Sequence, residues 1–428
     1  MRILFVVNPE KAHFYAMAPL AWALRCAGHE VRVASQPRFT DPITQAGLTA
    51  VPVGRDVDLW ELIPRHDDFR DWKWQPQYGL LDHPPYDVAE SPEKAEWDYM
   101  SPSYGDQVLV WHKPACFPMI GGVVQFAQHW EPDLILWEPL AFAGPVAAKA
   151  IGCAHGRLMW SVDVFGYTRS EFLKLKAQQP ADDRQDFLAE WLDGYARKYG
   201  TEFTEDMITG QFTIDQLPDS IRLEGDGLNY LPMRYVPYGG AAVIPKWLHG
   251  QPEKPRVALS MGVSLADHGA GLAVTVQDVL NELSTLDIEV VATIAESEQK
   301  KLTKVPDNAR IVSYAPLDAL AATCSAIITH GGFGTFLTAA LHGIPQLSAA
   351  WDFDSPLLAR RAAAQGGSLS VKADEATGEV VRENVARLLD EPTFRERAGK
   401  LRDELYSMPT PNDLVGRIEE LAIKGRDR

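Results

Sequence analysis

Short runs of consecutive aliphatic residues recur along this chain, separated by longer stretches with helical spacing of apolar positions. Ile3–Val7 is the first run, and after a loop the helical spacing covers Ala16–Ala27. Gly28 ends that helix and Glu30–Ala34 opens a second run. Continuous apolar runs suit strands covered on both faces, and the strand–helix–strand order predicts a parallel sheet with right-handed crossovers. Leu48–Val53, Asp133–Trp137 and Arg157–Trp160 extend the strand series, with a Gly/Ala-rich helix over Ala141–Ile151.

A second alternation begins at Arg256–Met261. Its further strands are expected at Glu289–Ile294, Arg310–Val312, Ala326–Thr329, Gln346–Ala349 and Ser368–Ser370. Helices are expected around Glu379–Leu389, Thr393–Tyr406 and Leu414–Ile423. The Gly/Pro-rich stretch 238–255 separates the two halves and reads as a linker. The organisation predicted is an α/β domain over 1–237, the linker, a second α/β domain over 256–408, and a final helix within 409–428 that crosses back to the first domain. Two doubly wound parallel-sheet domains would then face each other across a crevice. Ligands in such sheets bind beyond the carboxyl ends of the strands.

Two stretches break the first alternation. Residues 60–117 are polar, proline-containing and dense in aromatics, including Trp72, Trp97 and Trp111. Residues 172–211 are charged and helical in pattern. Both read as insertions on the rim of the sheet. The three tryptophans can wall a flat apolar acceptor at low entropy cost, or form a partner-binding surface.

Composition narrows the partners. With 41 Lys and Arg against 58 Asp and Glu, the net charge is −17, which disfavours nucleic acid and anionic membranes. The four cysteines are scattered, so neither a zinc ribbon nor a disulfide framework is expected. The N-terminal apolar run is too short for a signal peptide, and a cytoplasmic location is expected.

The chemistry concentrates in strand-to-helix loops. Thr329-His330-Gly331-Gly332-Phe333-Gly334-Thr335 joins an expected strand to an expected helix. Its glycines let the backbone approach a ligand, and the helix terminus adds partial positive charge, so the loop suits an anion. Thr335 can donate a hydroxyl, and His330 stands where a cation or a donor would meet a diphosphate. The competing reading is a structural glycine turn with a core histidine. Tyr314-Ala315 could present an aromatic face to a nucleobase, and Gly262 and Ser264 could reach phosphates from the first strand of the second domain. In the first domain, Asn8–Phe14 holds no glycine, so it is no dinucleotide fingerprint. His13 lies in that loop, and an imidazole is suited to take a hydroxyl proton near neutral pH. Glu138 follows an expected strand and could hold that imidazole in place, or cap the next helix.

His330–Thr335 followed by Ala340-Leu341-His342-Gly343-Ile344-Pro345-Gln346 resembles the donor signature of glycosyltransferases acting on natural products. The stretch from Pro19 to Ala34, the segments Trp137-Glu138-Pro139 and 46–54, and Met233–Tyr238 resemble the bacterial desosaminyltransferase-like group. Those enzymes move deoxysugars and aminosugars in macrolide and anthracycline pathways. The resemblance implies a GT-B fold, a thymidine-diphosphate (TDP) sugar donor, inversion, a hydrophobic polyketide acceptor and no cofactor. It also implies that His13 is the general base with Glu138 as its partner, although Asp is more usual there. Asp354-Ser355 matches the family's Asp-Gln or Asp-Thr pair, which contacts sugar hydroxyls, and the shorter Ser suits a deoxygenated sugar. Many family members work with a cytochrome-P450-like auxiliary protein, and self-association as a homodimer stays open. Asp352-x-Asp354 mimics a metal-binding pair, but a metal-free mechanism is expected because the helix terminus and His330 supply the positive field. Two other classes compete. A hydrolase lacks support because no G-x-S-x-G elbow occurs. A non-catalytic sugar-nucleotide-binding scaffold would not need both His13 and the His330 loop.

Overall fold

The computed structural model describes residues 1–59, 83–260 and 274–426. Two wholly parallel sheets form the frame. The first contains β1 (Arg2–Val6), β2 (Glu30–Ser35), β3 (Thr49–Pro52), β4 (Leu134–Trp137), β5 (Ala154–Leu158), β6 (Thr213–Asp215) and β7 (Tyr230–Pro232). Their spatial order is β3-β2-β1-β4-β5-β6-β7. The second contains β8 (Arg256–Ser260), β9 (Glu289–Thr293), β10 (Ala309–Val312), β11 (Ala326–Thr329), β12 (Gln346–Ser348) and β13 (Ser368–Ser370), in the order β10-β9-β8-β11-β12-β13. Both sheets therefore reverse direction between their first and fourth strands, and the switch point is where such folds open a binding crevice.

The inner strands are apolar on both faces, as expected for a covered parallel sheet. Ile3, Leu4, Phe5 and Val6 on β1, and Leu134 to Trp137 on β4, are all essentially inaccessible. Odd and even residues of β1 feed separate apolar clusters on opposite faces of the sheet. The last helix, Val415–Arg426, packs Ile418 and Ala422 into the first sheet's cluster beside Ile3 and Val31. His29 and Glu419, 3.0 Å apart, and a Gln211 side chain donating to the Gly425 carbonyl at 3.3 Å fasten it there.

Three differences from the sequence reading bear on the site. The first helix starts at Lys11, not Ala16, so His13 stands in its first turn rather than in a loop. Glu10 at the N-cap makes no side-chain capping hydrogen bond, so the usual polar signal for a helix start is missing. The fifth strand runs Ala154–Leu158, so Trp160 lies past its carboxyl end instead of inside it. The three-residue strands β6 and β7 extend the sheet beyond the segment read as an insertion, on the approach to the linker. The helices Val164–Gln178 and Phe187–Lys198, which enter that segment, are joined by buried Arg169, which donates to Asp186 at 2.7 and 3.0 Å and to Glu205 at 2.7 and 2.9 Å.

Candidate active site

A cleft of about 690 Å³ lies between the sheets and is lined from both sides. On the first-domain side, β1 and β4 pair with Val6 opposite Trp137, so the chain leaves both strands at one level. Glu138 follows at once and is fully buried. Its Oε1 accepts the Asn8 backbone N–H at 3.3 Å. Its Oε2 accepts the Leu140 N–H at 2.9 Å and the Trp160 indole N–H at 2.9 Å. Three donors thus meet a group that, when ionised, can only accept.

His13 sits beside this carboxylate. Its Nδ1 is 3.5 Å from Glu138 Oε2, an ion-pair separation rather than a formed hydrogen bond. Its ring stacks on Trp160 with centroids 4.1 Å apart and planes 6° apart. With Nδ1 turned toward Glu138, Nε2 is the nitrogen left for a ligand. Burial alone pulls the imidazole pKa down, but the negative charge of Glu138, helped by Glu10 and Asp354, outweighs it and raises the pKa above 6.5.

The opposite wall is built by the loop after β11. The Gly331 N–H donates to Thr329 Oγ1 at 2.6 Å, and Gly331 takes a left-handed φ of 88°. A Cβ there would lie 2.7 Å from the Ala350 Cβ, so both conformation and space demand glycine. At Gly332 a Cβ would lie 2.4 Å from His330 Nε2, so this glycine makes room for the imidazole as well as for any ligand. The helix Phe333–Leu341 starts here with no side-chain cap, leaving first-turn N–H groups for an anion. Gly332, Gly334 and Thr335 line the cleft. Burial pushes the His330 pKa down to about 4, which favours the neutral ring near neutral pH.

The remaining residues divide. Tyr314 and Ala315 line the cleft, Tyr314 half exposed and Ala315 buried. Asp354 and Ser355 line it too, and burial raises the Asp354 carboxyl to about 6 against the pull of Ser161 and His13. Trp111 lines the cleft from a π-helical turn, Val108–His112. Trp97 does not: it is partly buried and stacks on Phe172 at 5.3 Å, within the packing of the two helical segments. Its assignment to the acceptor wall is corrected, because the apolar helix face claimed the ring. Trp72, Gly262 and Ser264 lie outside the described residues. Among the described residues, no cluster of three or more His, Cys, Asp or Glu side chains could hold a metal.

Three contributors escaped the sequence reading. Trp160 had the look of a strand residue. Tyr235 closes over the His330 loop from the first domain, its ring edge-on to Phe333 at 5.7 Å and its hydroxyl 3.4 Å from the Gly334 carbonyl. Phe353 has a left-handed φ of 47°, unusual for a bulky residue. That turn sends its ring into a first-domain cluster, 4.9 Å from His83 and 5.7 Å from Phe165. Only the helical-turn and glycine signals of the sequence could point at the backbone; neither marks these rings.

Comparison with known proteins agrees with this geometry. The erythromycin biosynthesis protein CIII-like N-terminal domain model matches residues 22–74 and 105–262, and the corresponding C-terminal domain model matches 277–421. The chain is 42% identical to 10-deoxymethynolide desosaminyltransferase of Streptomyces venezuelae over all of this chain and 98% of that one. It is 39% identical to 3-alpha-mycarosylerythronolide B desosaminyl transferase of Saccharopolyspora erythraea, each covered in full. The solved structure of glycosyltransferase VinC in complex with DTDP superposes with a TM-score of 0.86 at 34% identity, covering 99% of this chain and 100% of VinC. The two-sheet frame, the cleft between its switch points and these matches lead to one conclusion: the chain belongs to the erythromycin biosynthesis protein CIII-like family and is a hexosyltransferase of the GT-B fold.

Proposed function

We propose that this chain moves a deoxysugar or aminosugar from TDP to a hydroxyl of a polyketide-type aglycone, with inversion and without a metal. The observation that carries the reading is the pairing of His13 with buried Glu138 on one wall and the His330 loop with its open helix terminus on the other. His13 Nε2 takes the acceptor hydroxyl proton as the oxygen attacks the anomeric carbon. Glu138 stabilises the imidazolium that forms. The C–O bond to the diphosphate breaks, and the departing charge falls on helix N–H groups, the Thr335 hydroxyl and the neutral His330 donor. Fixed donors of this kind stabilise developing charge without a cation. Tyr314 and Ala315 would flank the thymine, and Asp354 with Ser355 would meet the sugar. Trp111 and Tyr86, which also line the cleft, would contact the aglycone.

The relatives named for desosaminyl transfer supply the substrate class. On the same family resemblance, an auxiliary P450-like protein belongs to the proposal. The test is turnover of a TDP-aminosugar or TDP-deoxysugar with macrolactone and anthracyclinone acceptors in excess EDTA. Glycoside and TDP should form in equal amounts. Loss of product in EDTA, restored by magnesium or manganese, would reject the metal-free route.

A further inference from the structure

Glu138 Oε2 is asked to serve three neighbours. It accepts the Leu140 N–H and the Trp160 indole N–H, both at 2.9 Å, and it also faces His13 Nδ1. A carboxylate oxygen has two lone pairs, so two close donors fill it. The imidazole is third in line, which accounts for its 3.5 Å separation. The same indole is stacked on His13 almost in parallel. It also packs against Phe353 of the second domain, with centroids 6.3 Å apart.

We propose that Trp160 is a positioning residue that sets both the plane of His13 and the strength with which Glu138 holds it. The ring fixes the imidazole's orientation, so that Nδ1 meets Glu138 and Nε2 meets the cleft. The indole N–H occupies part of Glu138 and keeps it from closing fully on His13. The arrangement leaves an imidazole polarised by a carboxylate but not locked in the protonated form. Such a base regains its neutral form readily after each turnover. The charged groups that face His13 are Glu138 across the β1–β4 junction, Glu10 just before the helix, and Asp354 from the second domain. Trp160 bears directly on the first of these.

The inference rests on His13 acting as the base, and the experiment separates the two claims. Trp160→Phe keeps an aromatic ring over His13 and removes only the N–H donor. Glu138 then gains a free lone pair toward His13, which stabilises the imidazolium. The His13 imidazole, followed by NMR titration of the ring, should titrate higher by about one pH unit. The acid limb of the kcat/KM profile should move up with it, while the affinity for TDP stays within twofold. Trp160→Leu removes ring and donor together and should lower kcat a further tenfold or more, with KM for the donor little changed. A purely structural tryptophan would lower thermal stability in both variants and leave the His13 titration where it was. An unmoved His13 titration in well-folded Trp160→Phe overturns the proposal. Full turnover by His13→Ala would instead overturn the base assignment, and the NMR titration would still read the clamp.

Discussion

His13 and His330 line the two walls of one cleft, and their surroundings push them apart. Both are largely withdrawn from solvent, which by itself disfavours the charged form. His13 has Glu138 at 3.5 Å, with Glu10 and Asp354 beyond, and its pKa rises. His330 has the field of Asp352 and a backbone hydrogen bond at Ser260 against its burial, and its pKa still falls to about 4. One imidazole is thus drawn toward its charged form and the other is held neutral. The lesson is that residue type does not assign the role. The charges close around each ring do so: Glu138 stands 3.5 Å from His13, while at His330 burial outweighs the field of Asp352.

The largest effect expected from breaking this asymmetry is at His13. His13→Ala should lower turnover by about 10²–10⁴-fold, as loss of a general base does. Affinity for TDP, measured by calorimetry, should stay within about twofold because the diphosphate wall is intact. Unchanged turnover would remove His13 from the mechanism. Next comes the donor wall. His330→Ala should cost on the order of 10²–10³-fold in kcat, the usual loss for one fixed donor to a developing charge. Gly332→Ala should act in the same direction, since its Cβ would displace the His330 ring. A Gly332→Ala enzyme with normal donor kinetics would show that the ring's place is unimportant.

Glu138→Gln should give a smaller loss with a diagnostic sign. Without the carboxylate charge the His13 pKa falls, so the acid limb of kcat/KM should move to lower pH. A limb that moved upward would contradict the pairing. The smallest kinetic effects belong to the tryptophans, and here two similar residues sharpen the comparison. Trp111→Ala should raise the acceptor KM about tenfold and spare TDP affinity, as loss of one apolar wall does. Trp97→Ala should instead lower stability by on the order of 3 kcal/mol in denaturant titration, with KM unchanged. Reversed outcomes would place the acceptor against the helical packing rather than in the cleft.

Most of the frame was legible in the sequence because long aliphatic runs leave little choice: Ile3–Val7 and Ala326–Thr329 had to be buried parallel strands. The glycine turn between Ala326–Thr329 and Phe333–Leu341 was legible because its glycines and helix start are local features. What stayed hidden depends on tertiary context. The strands Thr213–Asp215 and Tyr230–Pro232 are too short and too polar to show a period. The helix start at Lys11 carries no cap, so His13 read as a loop residue. Trp160 and Trp97 looked alike as aromatics, and only packing sends one onto the base and the other onto Phe172. The left-handed turn at Phe353 has no sequence signal at all, since a bulky residue is the least expected there.

The division of labour between the two histidines can be measured in one sample. Side-chain ¹⁵N NMR of the histidine rings across pH 4–9, with His13→Ala and His330→Ala used for assignment, reports each charge state. The expected result is that His13 titrates above 6.5 and that His330 remains neutral until the pH approaches 4. A His330 that is protonated at pH 7, or a His13 that titrates below 6.5, would contradict it.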